Sequence, residues 1–516
     1  MSAAQIDRRQ FIVGASTVAG SMLLVEAARP QLAFAAPAPS FDDLTELTLA
    51  ETATAIRRRK VSSEEVVQAH LKRIVAFEST YMAFNTILAE QALARARELD
   101  RKRWPVGALH GVPIVVKDNY WTKGIETTAN SYIFEGFVPD EDATCVARLL
   151  REGAVLLGKT QMGPLATTRA TTPDGLVTTV NAWTPNTPNY DPGGSSSGSA
   201  TATAARLACS SIGTQTGGSI TSPANQQGLT GLKPTMGRTS LYGIIPLTYS
   251  RDHAGPIARD ALDAAIVTQV MAGPDPKDPR TQGLPPVPDL VDAVTRDWRH
   301  HHHRRRTTLG VPPGYVSGTS PTAQARAAML QRFAALGVRT VEVTLPEEWD
   351  LLTGGTFNNV RLPERTEPFL EYLKQDLKLF GVSLNSWMQG LFLSGDEWIK
   401  GQRAKHVLVR RVLDDLFAQC DVVLQTNPVP FDIVGLPEIA FPIGFQPHAA
   451  SGRDVPIGAI IGGRPYQEDR LLALVGAYQD ETNWHLRRPA DPPPLAPLLR
   501  RERPRLTAEE VEELTQ

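Results

Sequence analysis

Two glycine-led serine segments constrain this chain more than any other feature. They are Gly193-Gly194-Ser195-Ser196-Ser197-Gly198 and Gly217-Gly218-Ser219, with Ser219 placed 24 residues after Ser195. Taken alone, the first has the composition of a flexible linker. Its surroundings leave no room for one, because an Ala-rich helical segment, Ala200 to Leu207, follows at once. A short strand, Cys209 to Ile212, then leads into the second segment. Gly217 and Gly218 leave the backbone bare before Ser219, where positive φ carries no Cβ penalty. Such a loop can turn consecutive N–H groups inward as an anion-binding nest, with a serine hydroxyl at its rim. Amide cleavage needs those parts: an activated nucleophile, a proton carrier and donors aimed at a developing oxyanion.

The rest of the chain reads as alternating helices and strands. Leu44 to Ile56 marks one helix, and Ser62-Ser63-Glu64-Glu65 is a capping box that opens a second. A third runs from about Glu90 to Arg101. Val112-Pro113-Ile114-Val115-Val116 is too short for a helix and suits a buried strand, ending on Lys117-Asp118-Asn119. A helix over Ala143–Glu152 feeds another strand, Ala154 to Leu157. Later helices are expected near Thr322–Leu336, Glu367–Phe380 and Asp396–Ala418, and strands at Asp421–Gln425, Glu438–Ile443 and Ala459–Ile461. The pattern argues for an α/β layered fold. Neither an internal repeat nor a clear linker divides residues 36–516, so one domain is expected. The Pro-rich stretches Gly273–Pro288 and Pro489–Pro504 read as surface excursions.

Composition excludes several classes. A formal net charge of −2 over 516 residues provides no global field toward nucleic acid or an anionic membrane. Three widely spaced cysteines, Cys145, Cys209 and Cys420, suggest neither a disulfide framework nor a zinc site. Gly153-Ala154-Val155-Leu156-Leu157-Gly158-Lys159-Thr160 satisfies the P-loop expression, yet its middle is apolar and Gly163-Pro164 breaks the helix that should follow. His300–His303 lies between Arg299 and Arg304–Arg306, which favours a solvated loop over a metal site. No metal and no cofactor are expected.

The first 35 residues read as an address. Asp7-Arg8-Arg9-Gln10-Phe11-Ile12 resembles a twin-arginine export motif, a modestly apolar stretch follows, and Ala33-Phe34-Ala35 is a small-residue cleavage signal. A tail without structure or an uncleaved anchor is the alternative, although a membrane span needs roughly 20 apolar residues. Export to the periplasm or medium through the twin-arginine machinery is expected, with cleavage near Ala35 and no stable membrane anchor.

Several blocks together resemble the amidase signature family over residues 40–480. Leu109-His110-Gly111-Val112-Pro113-Ile114-Val115-Val116-Lys117-Asp118-Asn119 is similar to the family's lysine block. The two glycine–serine segments, running on through Gly213-Thr214-Gln215-Thr216-Gly217-Gly218-Ser219-Ile220, match its serine block and its spacing. Gly158-Lys159-Thr160, Gly231-Leu232-Lys233-Pro234-Thr235, Gly435-Leu436-Pro437 and Gly462-Gly463-Arg464-Pro465 follow in family order.

The resemblance implies a large central mixed β-sheet flanked by helices on both faces. It further implies Ser219 as nucleophile, Ser195 on a cis peptide bond as relay, and Lys117 as a neutral general base. The N–H groups of Thr216, Gly217, Gly218 and Ser219 would form the oxyanion hole. The substrate implied is a small-molecule amide; carbamate, ester or cyclic-amide hydrolysis on the same trio stays open, as does a non-catalytic binder, and both monomer and homodimer remain possible. An amidotransferase subunit is disfavoured by the export signal.

The chain departs from the family at two positions. Gln215 and Thr221 stand where an aspartate and an arginine are usual. Losing both charges together is electrostatically consistent, so Gln215 is expected to hydrogen-bond the loop in less polar surroundings than most relatives have. Leu165 and Ala166 are expected at the acyl-pocket wall. The aromatic-rich segment 345–400 is expected to shape the substrate entrance, although aromatics so spaced are more often core.

Overall fold

The computed structural model describes residues 43–185, 191–303, 307–355 and 359–493. The expected export signal, 1–35, lies outside them, as do Arg304–Arg306 and the end of the last Pro-rich stretch. Among the described residues no helix is long and apolar enough to cross a membrane.

Among the described residues, one mixed sheet of eleven strands organises the fold. In chain order the strands are β1 Phe84–Ile87, β2 Pro113–Lys117, β3 Val155–Thr160, β4 Ser210–Gln215, β5 Thr230–Lys233, β6 His253–Ala258, β7 Thr308–Val311, β8 Arg339–Glu342, β9 Val422–Gln425, β10 Glu438–His448 and β11 Arg453–Gly463. Across the sheet they run β1-β3-β2-β4-β6-β5-β10-β11-β9-β7-β8. β2 is parallel to both β3 and β4, whereas β4–β6, β6–β5, β5–β10 and β10–β11 are antiparallel.

Both sheet faces are covered, which explains why β2 and β3 read as unbroken apolar runs. Val115, Val155 and Leu157 pack on one face beneath the helices Ser63–Tyr81, Ala89–Asp100 and Ser197–Ala204. Ile114, Val116 and Leu156 pack on the other, against Thr144–Arg151 and Ala261–Met271. The capping box forms as expected: Ser62 Oγ accepts the Glu65 N–H, and the Glu65 carboxylate accepts the Ser62 N–H.

The P-loop match is dissolved by this architecture, since Val155–Thr160 is a fully buried strand. Two other expectations need correction. The helix expected over Glu367–Phe380 is interrupted, with separate turns at Glu367–Phe369, Leu370–Gln375 and Leu377–Ser383. Pro368 supplies no N–H to a preceding turn, and Gly381 takes a non-helical conformation. The histidine run is not simply solvated, because His301 and His303 are buried while His300 and His302 are exposed. His303 Nε2 lies 2.9 Å from Asp469 Oδ2, which tethers the run to the helix Glu468–Asp480.

Candidate active site

The carboxyl ends of parallel β2, β3 and β4 emerge at the same sheet edge, where open α/β sheets place their ligands. Lys117 is the last residue of β2 and is wholly buried. Its Nζ lies 2.7 Å from Ser195 Oγ and 2.8 Å from Thr214 Oγ1, near the end of β4. Asn119 Nδ2 donates to the same threonine hydroxyl at 3.2 Å. Burial pushes the Lys117 amine down to about 7, opposed by the Asp252 carboxylate, which favours the cation. The site therefore holds a lysine that can be neutral near neutral pH.

Ser195 follows a cis Gly194–Ser195 peptide bond, and its carbonyl accepts the Gly163 N–H at 3.1 Å. The helix Ser197–Ala204 begins directly afterwards and is buried throughout. The glycine–serine run is thus a core turn rather than a linker. Gly194 must lack a Cβ, which would sit 2.6 Å from the Arg169 backbone.

Ser219 closes the loop that leaves β4 and is 7 % exposed. Two buried carboxylates shape this loop. Asp252 accepts from Thr216 Oγ1 at 2.5 Å and from the N–H groups of Leu247 and Thr248. Asp432 Oδ2 accepts the Gly218 N–H at 2.8 Å. That bond corrects the four-donor oxyanion hole: the Gly218 N–H is committed to Asp432. Gly217 faces open space, with nothing within 4 Å of where a Cβ would be.

Gln215 does hold the loop. Its Oε1 accepts the N–H groups of Ile220 and Thr221, each at 2.9 Å, and the Thr221 hydroxyl at 3.2 Å. Its Nε2 donates to Asp432 Oδ1 at 2.9 Å and to Glu438 Oε2 at 3.2 Å. The loop nevertheless sits among buried charges. Lys233 Nζ sits 3.3 Å from Asp432 and 3.5 Å from Glu438, and all three are fully buried. Burial drives Glu438 well above the usual carboxylate range, against the pull of Lys233. Sequence reasoning missed Asp252, Asp432 and Glu438, since none has a local signal pointing to the serine loop.

Lys159 is also inside the site's frame rather than on a nucleotide. Its Nζ lies 3.1 Å from Asp118 and donates to Tyr120 O and Thr127 Oγ1. Asp118 in turn accepts from Asn85 Nδ2 and from the Thr128 N–H and hydroxyl. Leu165 and Ala166 are buried in a cluster with Ile245, Leu247, Phe369, Phe380 and Trp387. Those three aromatics of the 345–400 segment are therefore core, while Phe392 and Trp398 are exposed.

The family model described as Amidase matches residues 65–425. The chain belongs to the amidase signature family. A glutamyl-tRNA(Gln) amidotransferase subunit from Roseiflexus sp. is 34 % identical over 498 residues, covering 86 % of this chain and 98 % of that protein. The corresponding protein of Geotalea daltonii is 32 % identical over 506 residues, covering 87 % and 100 %. Among solved structures, the native peptide amidase of Stenotrophomonas maltophilia is similar with a TM-score of 0.72 and 28 % identity, over 86 % of this chain and 98 % of that one. The eleven-stranded α/β fold is thus the fold of the family.

Proposed function

We propose that this family member is a hydrolase of non-peptide amide bonds that works through an acyl-enzyme on Ser219. The observation that carries the proposal is the 2.7 Å approach of a wholly buried Lys117 Nζ to Ser195 Oγ. Neutral Lys117 takes the Ser195 proton as Ser195 takes that of Ser219, and Ser219 Oγ bonds to the amide carbon. The N–H groups of Gly217 and Ser219, with that of Thr216, are the donors left for the carbonyl oxygen once Asp432 has claimed Gly218. The proton returns through Ser195 to the leaving nitrogen, the C–N bond breaks, and the amine or ammonia departs. Water, deprotonated through the same relay, releases the carboxylic acid and restores Ser219. The packed position of Leu165 and Ala166 beside Ile245 and Leu247 supports them as part of the acyl-side wall. The aromatic segment 345–400, part of it core, supplies the entrance.

A serine-directed covalent probe tests the nucleophile. It should label the wild type and fail on Ser219→Ala, with acid and amine released in equal amounts from any amide the wild type cleaves. Equal labelling of both proteins would sink the assignment of Ser219.

The amidotransferase relatives favour a second reading, in which the chain is one component of a complex and works on a carried substrate. Hydrolysis of free amides by the protein purified alone supports the first reading; activity that requires a partner protein supports the second. Export rests on residues 7–35 alone, and the relatives' names lend it nothing. Cell fractionation with Arg8→Lys/Arg9→Lys tests it, and a precursor that stays in the cytoplasm in the wild type would end it.

A further inference from the structure

Two helices end on basic runs that the fold sets side by side. The helix Leu49–Arg57 runs out through Arg57-Arg58-Arg59-Lys60, and the helix Ala89–Asp100 runs out through Arg101-Lys102-Arg103. The Arg59 guanidinium donates to the Arg103 carbonyl at 3.2 Å, and that of Arg57 donates to the Gly107 carbonyl at 2.8 Å. Together the two runs hold seven cations and no carboxylate. The carboxylates around them are engaged. Glu98 lies 2.7 Å from Arg95 and 3.5 Å from Lys102, and Asp100 accepts the N–H groups of Ser63 and Glu64. Glu152 accepts the Ala108 N–H and attracts Arg57.

Cations suit helix C-termini, where the dipole leaves partial negative charge, so the basic runs by themselves ask for no partner. Trp104 does. It follows the second run directly and is 72 % exposed, with the Arg103 guanidinium 5.5 Å from its ring. Arg101 through Val106 are exposed without a break, so the segment projects from the surface. A projecting tip offers no groove in which a nucleic-acid strand could run. An indole beside Pro105 and Val106, among cations, instead fits the interfacial zone of a bilayer. There Trp settles at headgroup depth, and Lys and Arg meet anionic phosphates.

The corner also lies on the far edge of the sheet from the chemistry. Its loop leads into β2 at Pro113. Val106 packs at the start of β3, where a Cβ on Gly153 would meet Val106 Cγ2 at 2.7 Å. Those are the amino ends of the two strands, whereas Lys117 closes β2 at its carboxyl end. A surface held at this corner leaves the catalytic edge facing the medium.

We infer that this corner docks the protein, peripherally and reversibly, on an anionic phospholipid surface. Trp104 enters the headgroup layer, and Arg59, Arg101 and Arg103 meet the lipid phosphates. Sedimentation of the purified full chain with vesicles tests it, using phosphatidylcholine with and without added phosphatidylglycerol. The wild type should bind the anionic vesicles about tenfold or more tightly than the neutral ones, and high salt should remove most of that difference. Trp104→Ala should weaken binding to the anionic vesicles about fivefold or more. The triple change Arg59→Gln/Arg101→Gln/Arg103→Gln should weaken it about tenfold or more, and Arg59→Lys/Arg101→Lys/Arg103→Lys should retain it. All these side chains are exposed, so each variant should keep a thermal midpoint near that of the wild type.

Equal binding to both kinds of vesicle, or none to either, overturns the inference. Binding that survives both the Trp104 and the triple glutamine variants also overturns it, by placing the contact elsewhere in the chain. A fluorescent oligothymidylate that binds in a Trp104-dependent way, while anionic vesicles do not, would replace the lipid surface with a nucleic acid.

Discussion

Gln215 stands between Asp432 and the loop that carries Ser219, its Nε2 donating to Asp432 Oδ1 at 2.9 Å. The other end of the same amide accepts two backbone N–H groups of the loop at 2.9 Å. A primary amide can donate at one end and accept at the other without adding charge. An aspartate at 215 would only accept, and would set a third carboxylate beside Asp432 and Glu438 with Lys233 as the nearest cation. Gln215→Asp should therefore lower stability by about 3 kcal/mol or more and reduce activity at least tenfold. Urea denaturation and initial rates measure both, and an unharmed variant would refute the role given to the amide.

Lys117 controls the pH response. Its burial sets a pKa of about 7, so the neutral, proton-accepting form gains population as pH rises through 7. The value of kcat/KM should climb on that limb and then level off. Asp252 favours the charged amine, so Asp252→Asn should move the limb to lower pH, and a limb that moved up would contradict this account. Lys117→Arg should be inactive at every pH tested, because a guanidinium does not give up its proton in this range.

Gly218 needs its missing side chain. Its φ is +91°, and an added Cβ would lie 2.9 Å from Pro428 Cγ. Gly218→Ala should cost about 1–3 kcal/mol in thermal or urea unfolding. Gly217→Ala meets nothing within 4 Å and should unfold near the wild-type midpoint. Equal destabilisation of the two variants would show that the loop is held differently.

Lys159 pairs with Asp118 where neither reaches solvent, at 3.1 Å. Removing one partner of such a pair typically costs about 3–5 kcal/mol, because the other charge stays buried. Lys159→Met should show that loss in denaturant unfolding, while calorimetry should show no ATP binding by the wild type. Heat released on titrating ATP would revive the nucleotide reading.

Much of the site was legible in the chain itself. The order lysine, serine, serine and the spacing of the two serines are covalent facts, and the family resemblance gave them roles. Strand and helix patterns placed Lys117 at a strand end because apolar residues in short runs must be buried wherever the chain goes. The short strands β1, β5, β6, β7 and β8 were missed; in β5 and β6, Gly, Pro, Lys and His hide the alternation that marks a strand.

What sequence alone determined, then, is the family and the order in which its lysine and serine blocks come. Only the tertiary structure decided their electrostatic setting. Nothing near Gln215 in the chain announces its partners: β10 and the helix Val429–Val434 bring Glu438 and Asp432 to its amide, and β5 brings Lys233. The reason is physical. A charge's partner is set by burial and distance of approach, and residues more than two hundred positions apart meet only when the sheet is assembled.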